Sequence, residues 1–386
     1  MDRIRRHIAR QLHHYLTLFP VVVVTGPRQS GKTSFIKEEL PDWQYYNLQT
    51  PADYSHLTEN IDNFFKENGN RCIIDEAQEN PSLLPALRDK LNGDKQQKAR
   101  VVLLGSVNHS FTQKIVKMLG ENVKLLEITP FNYKEIKTAG SLDVEKLWLF
   151  GGFPKPLTWN EDEHFNWIEN FIKNFLQQDT SRYLKTSFNW HNQLELLESI
   201  ANTNGHAWNA SQIAESFDIC YHTVNTYTDL LQHFFLARKL PAYQKNNGKR
   251  LVKHPKLYIR DSGILHYLLK IKSAESLKNS PLCDCSFKGF VIEQLIQKYT
   301  RNSAVPAQTY YYKTSQGYEI DLLIELEGHL KAYKITASKT ISENELKSFT
   351  RCLDHLNIEK GTVIYLGAEN FEINSRIKVW SAEKYL

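Results

Sequence analysis

The sequence predicts an α/β protein built from a parallel-sheet domain and further units behind it. Short apolar runs alternate with helical segments over the first 150 residues, which is the pattern of a parallel sheet covered by helices on both faces. After a Gly-Gly-Phe-Pro break, a strongly amphipathic helix comes first, two short helices and two strands follow it, and a mixed α/β pattern completes the chain. We therefore divide it into a sheet domain (1–150), a helical connector (151–189), a winged helix-turn-helix segment (190–262) and a C-terminal α/β domain (263–386).

The composition excludes several classes of protein. The 386 residues are 41% apolar and 24% charged, which is typical of a protein that folds in water. No run of about 18 apolar residues is present, so we predict no membrane span, no secretory signal and a cytoplasmic location. The five cysteines lack the spacing of a zinc site and are interpreted as reduced thiols. A net charge of +5 indicates nucleic acid only if the charge is concentrated in one place.

An apolar strand leads into a loop with the pattern of a phosphate-binding loop. Val21 to Val24 predict a buried strand, and the next residues match G-x-x-x-x-G-K-[ST] at every fixed position. Backbone N–H groups of such a loop surround nucleotide phosphates, and the following helix adds a favourable dipole. We expect Lys32 to reach the β/γ-phosphates during catalysis and Thr33 to hold Mg²⁺. The predicted nucleotide-binding residues are Gly26, Pro27, Arg28, Gln29, Ser30, Gly31, Lys32, Thr33 and Ser34.

Two later strands end in polar residues that are candidates for the same site. Asp75 ends an apolar strand and is predicted to bind Mg²⁺ through water, while Glu76 is predicted to polarise an attacking water. An ordinary acidic strand end is the alternative. The predicted strand Ala99–Ser106 ends in small polar residues, and Asn108 follows it. Ser106 or Asn108 would sense the γ-phosphate or orient water, because ligands of such sheets lie at the carboxyl ends of strands. A plain turn explains these two residues nearly as well.

The segment from about 190 to 260 has the layout of a helix-turn-helix. Residues 209–217 and 221–231 predict two helices joined by a tight turn, and two strands follow them. Thr223 and Asn225 lie at the start of the second helix, where such motifs carry their base-reading residues. A module that contacts protein instead of DNA is the alternative interpretation.

Basic residues are concentrated behind these helices. The interval from Arg238 to Arg260 contains no acidic residue and eight basic ones: Arg238, Lys239, Lys245, Lys249, Arg250, Lys253, Lys256 and Arg260. A run of one sign on a hairpin favours contacts with the phosphates of duplex DNA. A solvated loop, or a patch that docks onto acidic parts of the same chain, is the alternative.

Together these motifs resemble the prokaryotic AAA-type ATPases that combine an AAA_14 domain with a DUF4143 domain. The resemblance spans nearly the whole chain and is carried by residues 26–33, 73–78, 103–106, 151–154, 255–261 and 317–321. It implies ATP as the nucleotide, hydrolysis with Mg²⁺, a winged-helix insert and a C-terminal domain with a restriction-endonuclease-like fold.

The chain departs from the family pattern in two places. Residues 118–122 lack the arginine that the family usually carries after its third motif, so slow basal turnover is expected and any arginine acting from another chain is unassigned. In the C-terminal domain Asp321 is present and Glu293 is placed to assist. However, Lys334 and Thr336 stand where a nuclease of this fold has Glu and Lys. We expect that domain to be catalytically degenerate.

The leading hypothesis is a Mg²⁺-dependent ATPase that couples ATP binding and hydrolysis to an effector module, with duplex DNA as the favoured partner. The second is a nucleotide-gated regulatory or scaffolding protein whose ligand is another protein, and the third is a metal-dependent nuclease. What the basic residues contact separates the first two hypotheses. The sequence leaves assembly into identical copies open.

Overall fold

The computed structural model describes residues 4–59, 61–68, 70–93, 100–105, 109–140, 142–158, 161–180, 190–244, 252–302 and 307–386. Its first unit consists of eight described helices and five strands. These elements are α1 (Ala9–Leu18), β1 (Val21–Thr25), α2 (Lys32–Glu39), β2 (Gln44–Asn47), α3 (Pro51–Thr58), α4 (Ile61–Asn68), β3 (Asn70–Asp75), α5 (Leu83–Gly93), β4 (Arg100–Leu104), α6 (His109–Leu119), β5 (Val123–Glu127), α7 (Tyr133–Thr138) and α8 (Val144–Phe150).

The five strands form one parallel sheet in the order β2-β3-β4-β1-β5. β1 therefore lies in the interior of the sheet, between β4 and β5. Because successive side chains point to opposite faces, Val21 and Val23 join one apolar core and Val22 and Val24 join the other. Burial on both faces explains why this strand is four consecutive valines, and the predicted parallel sheet is confirmed.

The second unit is helical and ends in a short hairpin and one further helix. Its elements are α9 (Glu161–Asn174), a π-helical stretch (Phe175–Asp179), α10 (Trp190–Asn202), α11 (Ala210–Phe217), α12 (Tyr221–His233), β6 (Ala237–Leu240), β7 (Lys256–Ile259) and α13 (Ser262–Leu268). α11 and α12 pack on each other, and β6 and β7 pair antiparallel. Trp167 and Phe171 of α9 and Phe175 of the π-helical stretch belong to the apolar core of this unit, together with residues of α10, α11 and α12.

The C-terminal unit is a six-stranded mixed sheet with helices on both faces. Its elements are α14 (Ala274–Lys278), α15 (Cys283–Asn302), β8 (Gln308–Lys313), β9 (Glu319–Leu326), β10 (His329–Thr336), α16 (Glu343–Leu356), β11 (Gly361–Tyr365), β12 (Phe371–Asn374), β13 (Ile377–Ser381) and α17 (Ala382–Tyr385). The strand order is β12-β13-β11-β10-β9-β8. None of the described helices, α15 included, is long and apolar enough to cross a membrane.

An apolar joint connects the first unit to the C-terminal unit. Trp148 of α8, Tyr258 of β7 and Phe287 of α15 belong to one buried cluster, which continues into the C-terminal sheet. The indole N–H of Trp148 donates to the hydroxyl of Ser286 at 3.0 Å inside this joint. α7 and α8 thus follow the parallel sheet in sequence but pack against the other units, since both join the cluster of the C-terminal unit and α8 also contacts α13 of the second unit.

Candidate nucleotide-binding site

The loop between β1 and α2 has the backbone of a phosphate-binding loop. It leaves the sheet after Thr25 and enters α2 at Lys32, whose first-turn N–H groups lack intrahelical partners. Gly26 has a φ of 143°, and a Cβ there would lie 2.0 Å from the carbonyl oxygen of Ile128. Only glycine permits this approach, which holds the loop against the chain just after β5. The turn into the helix is thereby presented to an anion.

Lys32 lies inside this loop. Its Nζ donates to the carbonyl oxygens of Gly26 (3.0 Å) and Pro27 (2.8 Å), and only 8% of the residue is exposed. Burial lowers the pKa of Lys32 to about 8, although the carboxylates of Glu76 and Asp75 act to raise it. A phosphate beside the ammonium would favour its charged form, which suits the role predicted for this residue.

Thr33, Asp75 and Tyr45 form a hydrogen-bonded set beside the loop. The hydroxyls of Thr33 and Tyr45 each donate to Oδ2 of Asp75 at 2.7 Å. Burial raises the pKa of Tyr45, and its bond to Asp75 raises it further. Hydroxyl and carboxylate oxygens are the ligands that Mg²⁺ prefers, so Thr33 and Asp75 fit a Mg²⁺ ion that accompanies a nucleotide. Tyr45 was not predicted, because one tyrosine in a short strand carries no signal of its own.

Glu76 follows Asp75 with a left-handed backbone, at a φ of 54°. Non-glycine residues in this region are uncommon and cluster at functional sites. The side-chain amide of Gln78 donates to the Glu76 carboxylate. The preceding residue, Asp75, accepts a hydrogen bond from Thr33 at 2.7 Å, so Glu76 and Lys32 each adjoin this bonded pair.

Arg6 supports the loop from the N-terminal segment, and the sequence patterns do not reveal it. Its guanidinium donates to the carbonyl oxygens of Ser30 and Thr129, the latter at 3.0 Å. It also lies 3.5 Å from the carboxylate of Glu135 and 3.9 Å from the centre of the Phe131 ring. A single arginine therefore ties the loop to the chain that leaves β5.

Two other loop side chains contact the second unit. Nη2 of Arg28 lies 3.0 Å from Oδ1 of Asp179, and the indole N–H of Trp167 donates to Oε1 of Gln29 at 3.0 Å. Of the remaining predicted residues, Ser34 is exposed on α2. Ser106 and Asn108 lie outside the described residues.

Most described basic residues of the predicted DNA-binding segment pair with carboxylates of the same chain. The pairs are Arg238 with Glu293, Lys239 with Asp229, Lys256 with Glu319, and Arg260 with Glu127 and Glu293. Lys253 is exposed, whereas Lys245, Lys249 and Arg250 lie outside the described residues.

The two candidate helix residues differ in their environment. Thr223 is half-buried at the start of α12, and the side-chain oxygen of Asn225 accepts a hydrogen bond from the indole N–H of Trp208 at 3.0 Å. Base contact by Asn225 would therefore compete with an internal bond. Thr223 lies in the first turn of α12 and directly follows the exposed residues Tyr221 and His222.

The acidic residues of the C-terminal unit are also engaged by cations. Asp321 lies 3.4 Å from Nζ of Lys288 and 3.2 Å from Nζ of Lys334, and it accepts the backbone N–H of Ile335 at 2.9 Å. Burial alone would raise its pKa, but these cations hold it well below the usual range. Within the described part of the chain, no group of three or more His, Cys, Asp or Glu side chains is arranged to hold a metal ion.

We expect no metal-dependent cleavage of DNA by the C-terminal unit. The ammonium groups of Lys288 and Lys334 face Asp321, where a nuclease would place a divalent cation. The measurement is incubation of supercoiled plasmid with the protein and Mg²⁺ or Mn²⁺. Nicking by the wild type that disappears in Asp321→Ala would contradict the expectation.

These features define the class of protein. A phosphate loop follows an interior strand of a parallel sheet, and a lysine, a threonine and an aspartate meet beside it. This is the arrangement of a P-loop nucleotide-binding protein.

Comparisons with known proteins identify the family. A model described as "AAA domain" (AAA_14) matches residues 18–137, and two described as domains of unknown function match 141–275 (DUF8612) and 285–385 (DUF4143). The uncharacterized protein Rv2008c of Mycobacterium tuberculosis is 30% identical over 386 residues, covering 99% of this chain and 84% of the relative. Mb2031c of Mycobacterium bovis gives the same values. The chain belongs to the family of AAA-type ATPases that combine an AAA_14 domain with a DUF4143 domain, which confirms the resemblance.

Two solved structures are more distantly similar. The Walker-type ATPase PABY2304 of Pyrococcus abyssi is 14% identical, with 69% of this chain and 96% of that chain covered and a TM-score of 0.47. The Aeropyrum pernix ORC1 protein, solved in complex with DNA, is 12% identical, with 69% and 93% covered and a TM-score of 0.29. At these TM-scores neither similarity bears on what this chain does.

Proposed function

We propose that this protein hydrolyses ATP with Mg²⁺ and transmits the state of its nucleotide to its other two units. The observation that carries the proposal is the convergence of Lys32, the Thr33–Asp75 hydrogen bond and Glu76 on one loop. A protein that binds nucleotide without hydrolysing it needs only Lys32, Thr33 and Asp75. The second carboxylate is the feature that favours hydrolysis.

Each residue has a role that its position supports. The loop N–H groups and Lys32 would hold the β- and γ-phosphates, and Thr33 and Asp75 would hold Mg²⁺, which draws charge from the phosphates when it is bound. Glu76 would accept a proton from the attacking water. Gln78 donates to the Glu76 carboxylate and would fix its orientation. Phosphoryl transfer depends mainly on such positioning and charge stabilisation.

A chain of ion pairs is the proposed route of transmission. Glu127 ends β5 and is in register with Thr25, the residue before the loop. Its carboxylate lies 2.6 Å from one nitrogen of Arg260, and another nitrogen of Arg260 lies 3.0 Å from Glu293 on α15. Arg238 of β6 pairs with the same glutamate. A displacement of the loop would reach all three units through these charges, of which Glu293 is the most deeply buried at 5% exposed.

The experiment that tests the proposal is a calorimetric titration of ATP-Mg²⁺ into the wild type and into Lys32→Ala. We expect the wild type to bind and the variant to lose binding, because the β/γ-phosphates lose their cation. Lys114→Ala, which removes an exposed lysine of α6, is the control and should bind like the wild type. Wild-type affinity in Lys32→Ala would contradict the proposal.

Binding of duplex DNA is the second candidate for the effector function. The observation that favours it is the packed pair α11 and α12, with the side chains of Tyr221 and His222 exposed at the start of α12. Among the described basic residues, the exposed Lys253 is a candidate for phosphate contacts, and Lys245, Lys249 and Arg250, which lie outside the described residues, are candidates from the sequence pattern alone. The internal pairing of the other basic residues favours docking within the chain for that part of the segment.

If DNA is the ligand, its binding should depend steeply on salt. Four phosphate contacts predict that the logarithm of the affinity falls against the logarithm of salt concentration with a slope of about −3.6. Reversing Lys249 and Arg250 to Glu should weaken all sequences alike and flatten that slope, whereas Thr223→Ala should change sequence preference. The measurement is fluorescence anisotropy with labelled duplexes. Absence of binding at low salt with ATP, ADP or neither would leave a protein partner as the ligand.

A further inference from the structure

The phosphate loop carries a second cation, Arg28, whose present partner belongs to another unit. Its guanidinium lies 3.0 Å from Oδ1 of Asp179, and the Asp179 side chain is 5% exposed while that of Arg28 is 32% exposed. The carboxylate is therefore fixed inside the second unit, and the arginine is the partner with room to move. Because Arg28 is part of the loop itself, whatever binds there competes with Asp179 for its charge.

Arg28 follows the residue whose carbonyl oxygen binds the Lys32 ammonium. Nζ of Lys32 donates to the carbonyl oxygen of Pro27 at 2.8 Å, and Arg28 is the next residue, so the loop brings its two cations to the same stretch of backbone. Lysines at the Lys32 position of such loops reach the β- and γ-phosphates. A guanidinium near that ammonium would therefore be attracted by the negative charge of the γ-phosphate, a group that ATP has and ADP lacks.

The surroundings of the pair allow the arginine to move. A cavity of about 230 Å³ lies beside this contact between the loop and the second unit, and it is lined by Arg28, Asp179, Phe171, Phe175 and Phe234 among others. Asp179 is the last residue of the π-helical stretch Phe175–Asp179, which continues α9. π-helical turns within helices are rare and are frequent at functional sites.

We propose that Arg28 distinguishes ATP from ADP, and that its transfer from Asp179 to the γ-phosphate signals the presence of ATP to α9. This inference rests on the proposed function of the loop. A bidentate guanidinium suits a phosphate at least as well as a carboxylate, and the doubly charged terminal phosphate of ATP is the stronger competitor. With ADP the pair to Asp179 persists and holds α9 against the loop. Arg28 also places a cation from the same chain beside the γ-phosphate, although the arginine expected after the third motif is absent.

The test is a cycle of Arg28→Gln, Asp179→Asn and the double variant, titrated with ATP-Mg²⁺ and with ADP-Mg²⁺. We expect Arg28→Gln to weaken the affinity for ATP by about tenfold, which is the scale of a lost charge-assisted hydrogen bond. The affinity for ADP should change by less than about twofold. Asp179→Asn should raise the affinity for ATP several-fold, because the carboxylate that competes with the γ-phosphate for Arg28 is removed. In the Arg28→Gln background the same change should have no effect.

Matched variants separate this role from a structural one. Glu169→Gln removes an exposed acid from the same helix and should leave both affinities unchanged, and Arg28→Lys should keep part of the preference for ATP. Hydrogen exchange gives an independent readout, since the amides of 175–179 should exchange faster with a non-hydrolysable ATP analogue than with ADP. Asp179→Asn should abolish that difference.

The two ideas fail in different ways. If the wild type binds neither nucleotide, the proposed function is wrong. If it binds both and Arg28→Gln weakens ATP and ADP equally, or if Asp179→Asn changes ATP affinity equally with and without Arg28, the role of Arg28 is wrong and the proposed function stands.

Discussion

Replacing Glu76 by Gln should lower the rate of ATP hydrolysis by at least about a hundredfold, the scale of losing a general base. The affinity for ATP should stay within about twofold, because the change keeps the size of the side chain and leaves the phosphate contacts of Lys32 intact. The amide can still face Gln78, which donates to the carboxylate in the wild type. What is lost is the group that accepts the proton of the attacking water.

The measurement is phosphate release at saturating ATP-Mg²⁺, with calorimetric titration of the same variant. Glu79→Gln, which neutralises an exposed acid three residues later, is the control and should keep the wild-type rate. We expect slow turnover in the wild type itself, because the stretch 118–122 lacks the family's arginine. Unchanged phosphate release in Glu76→Gln would assign that residue a structural role.

The parts of the site that were predictable from the sequence are the contiguous ones. The phosphate loop, with its lysine and its threonine, occupies eight consecutive positions. The fixed residues of the motif all belong to one local structure, the phosphate-binding turn. Asp75 was predictable because an apolar strand that ends in an acid is a short-range signal. The structure brings Thr33 and Asp75 within hydrogen-bonding distance across 42 positions of the chain, as the predicted parallel sheet requires.

The contacts that the sequence did not reveal join residues far apart in the chain. Arg28 and Asp179 belong to different units, and Arg6 meets Thr129 across 123 positions. No period or spacing encodes such a pair, because it depends on how whole units pack. A single arginine gives no indication of a role in the sequence until the structure shows which carboxylate or carbonyl group it contacts.

The basic segment from Arg238 to Arg260 is a second case in which the local sequence does not show the contacts between units. Between Arg238 and Arg260 the chain has no acid, so the local sequence indicates an unbalanced positive surface. The balancing carboxylates, Glu127, Glu293 and Glu319, come from the first and third units. Net charge along a segment therefore describes a surface only when that segment does not face another unit.

The second large effect is expected at Glu293, where the three units meet. Replacing Glu293 by Gln should destabilise the protein by roughly 3–5 kcal/mol, the range for removing one partner of a buried ion pair. The carboxylate is 5% exposed and serves both Arg238 and Arg260, which are 24% and 11% exposed. The neutral amide would leave two guanidinium groups without their shared counter-charge. Urea unfolding measures the effect, and Asp354→Asn, which breaks an exposed pair with Arg376, is the control with a much smaller expected change.

The dependence on pH provides an independent check of the same interaction. Burial alone would raise the pKa of Glu293, but Arg238 and Arg260 lower it to about 2 from the ordinary value of 4.5. A carboxyl whose pKa is lower in the folded state stabilises the protein above its unfolded pKa, and this contribution is lost as the pH falls through the folded pKa. The stability difference between wild type and Glu293→Gln should therefore be constant above about pH 5 and shrink between pH 4.5 and 2. A difference that stays constant down to pH 2 would mean that the ionised carboxylate does not hold the three units together.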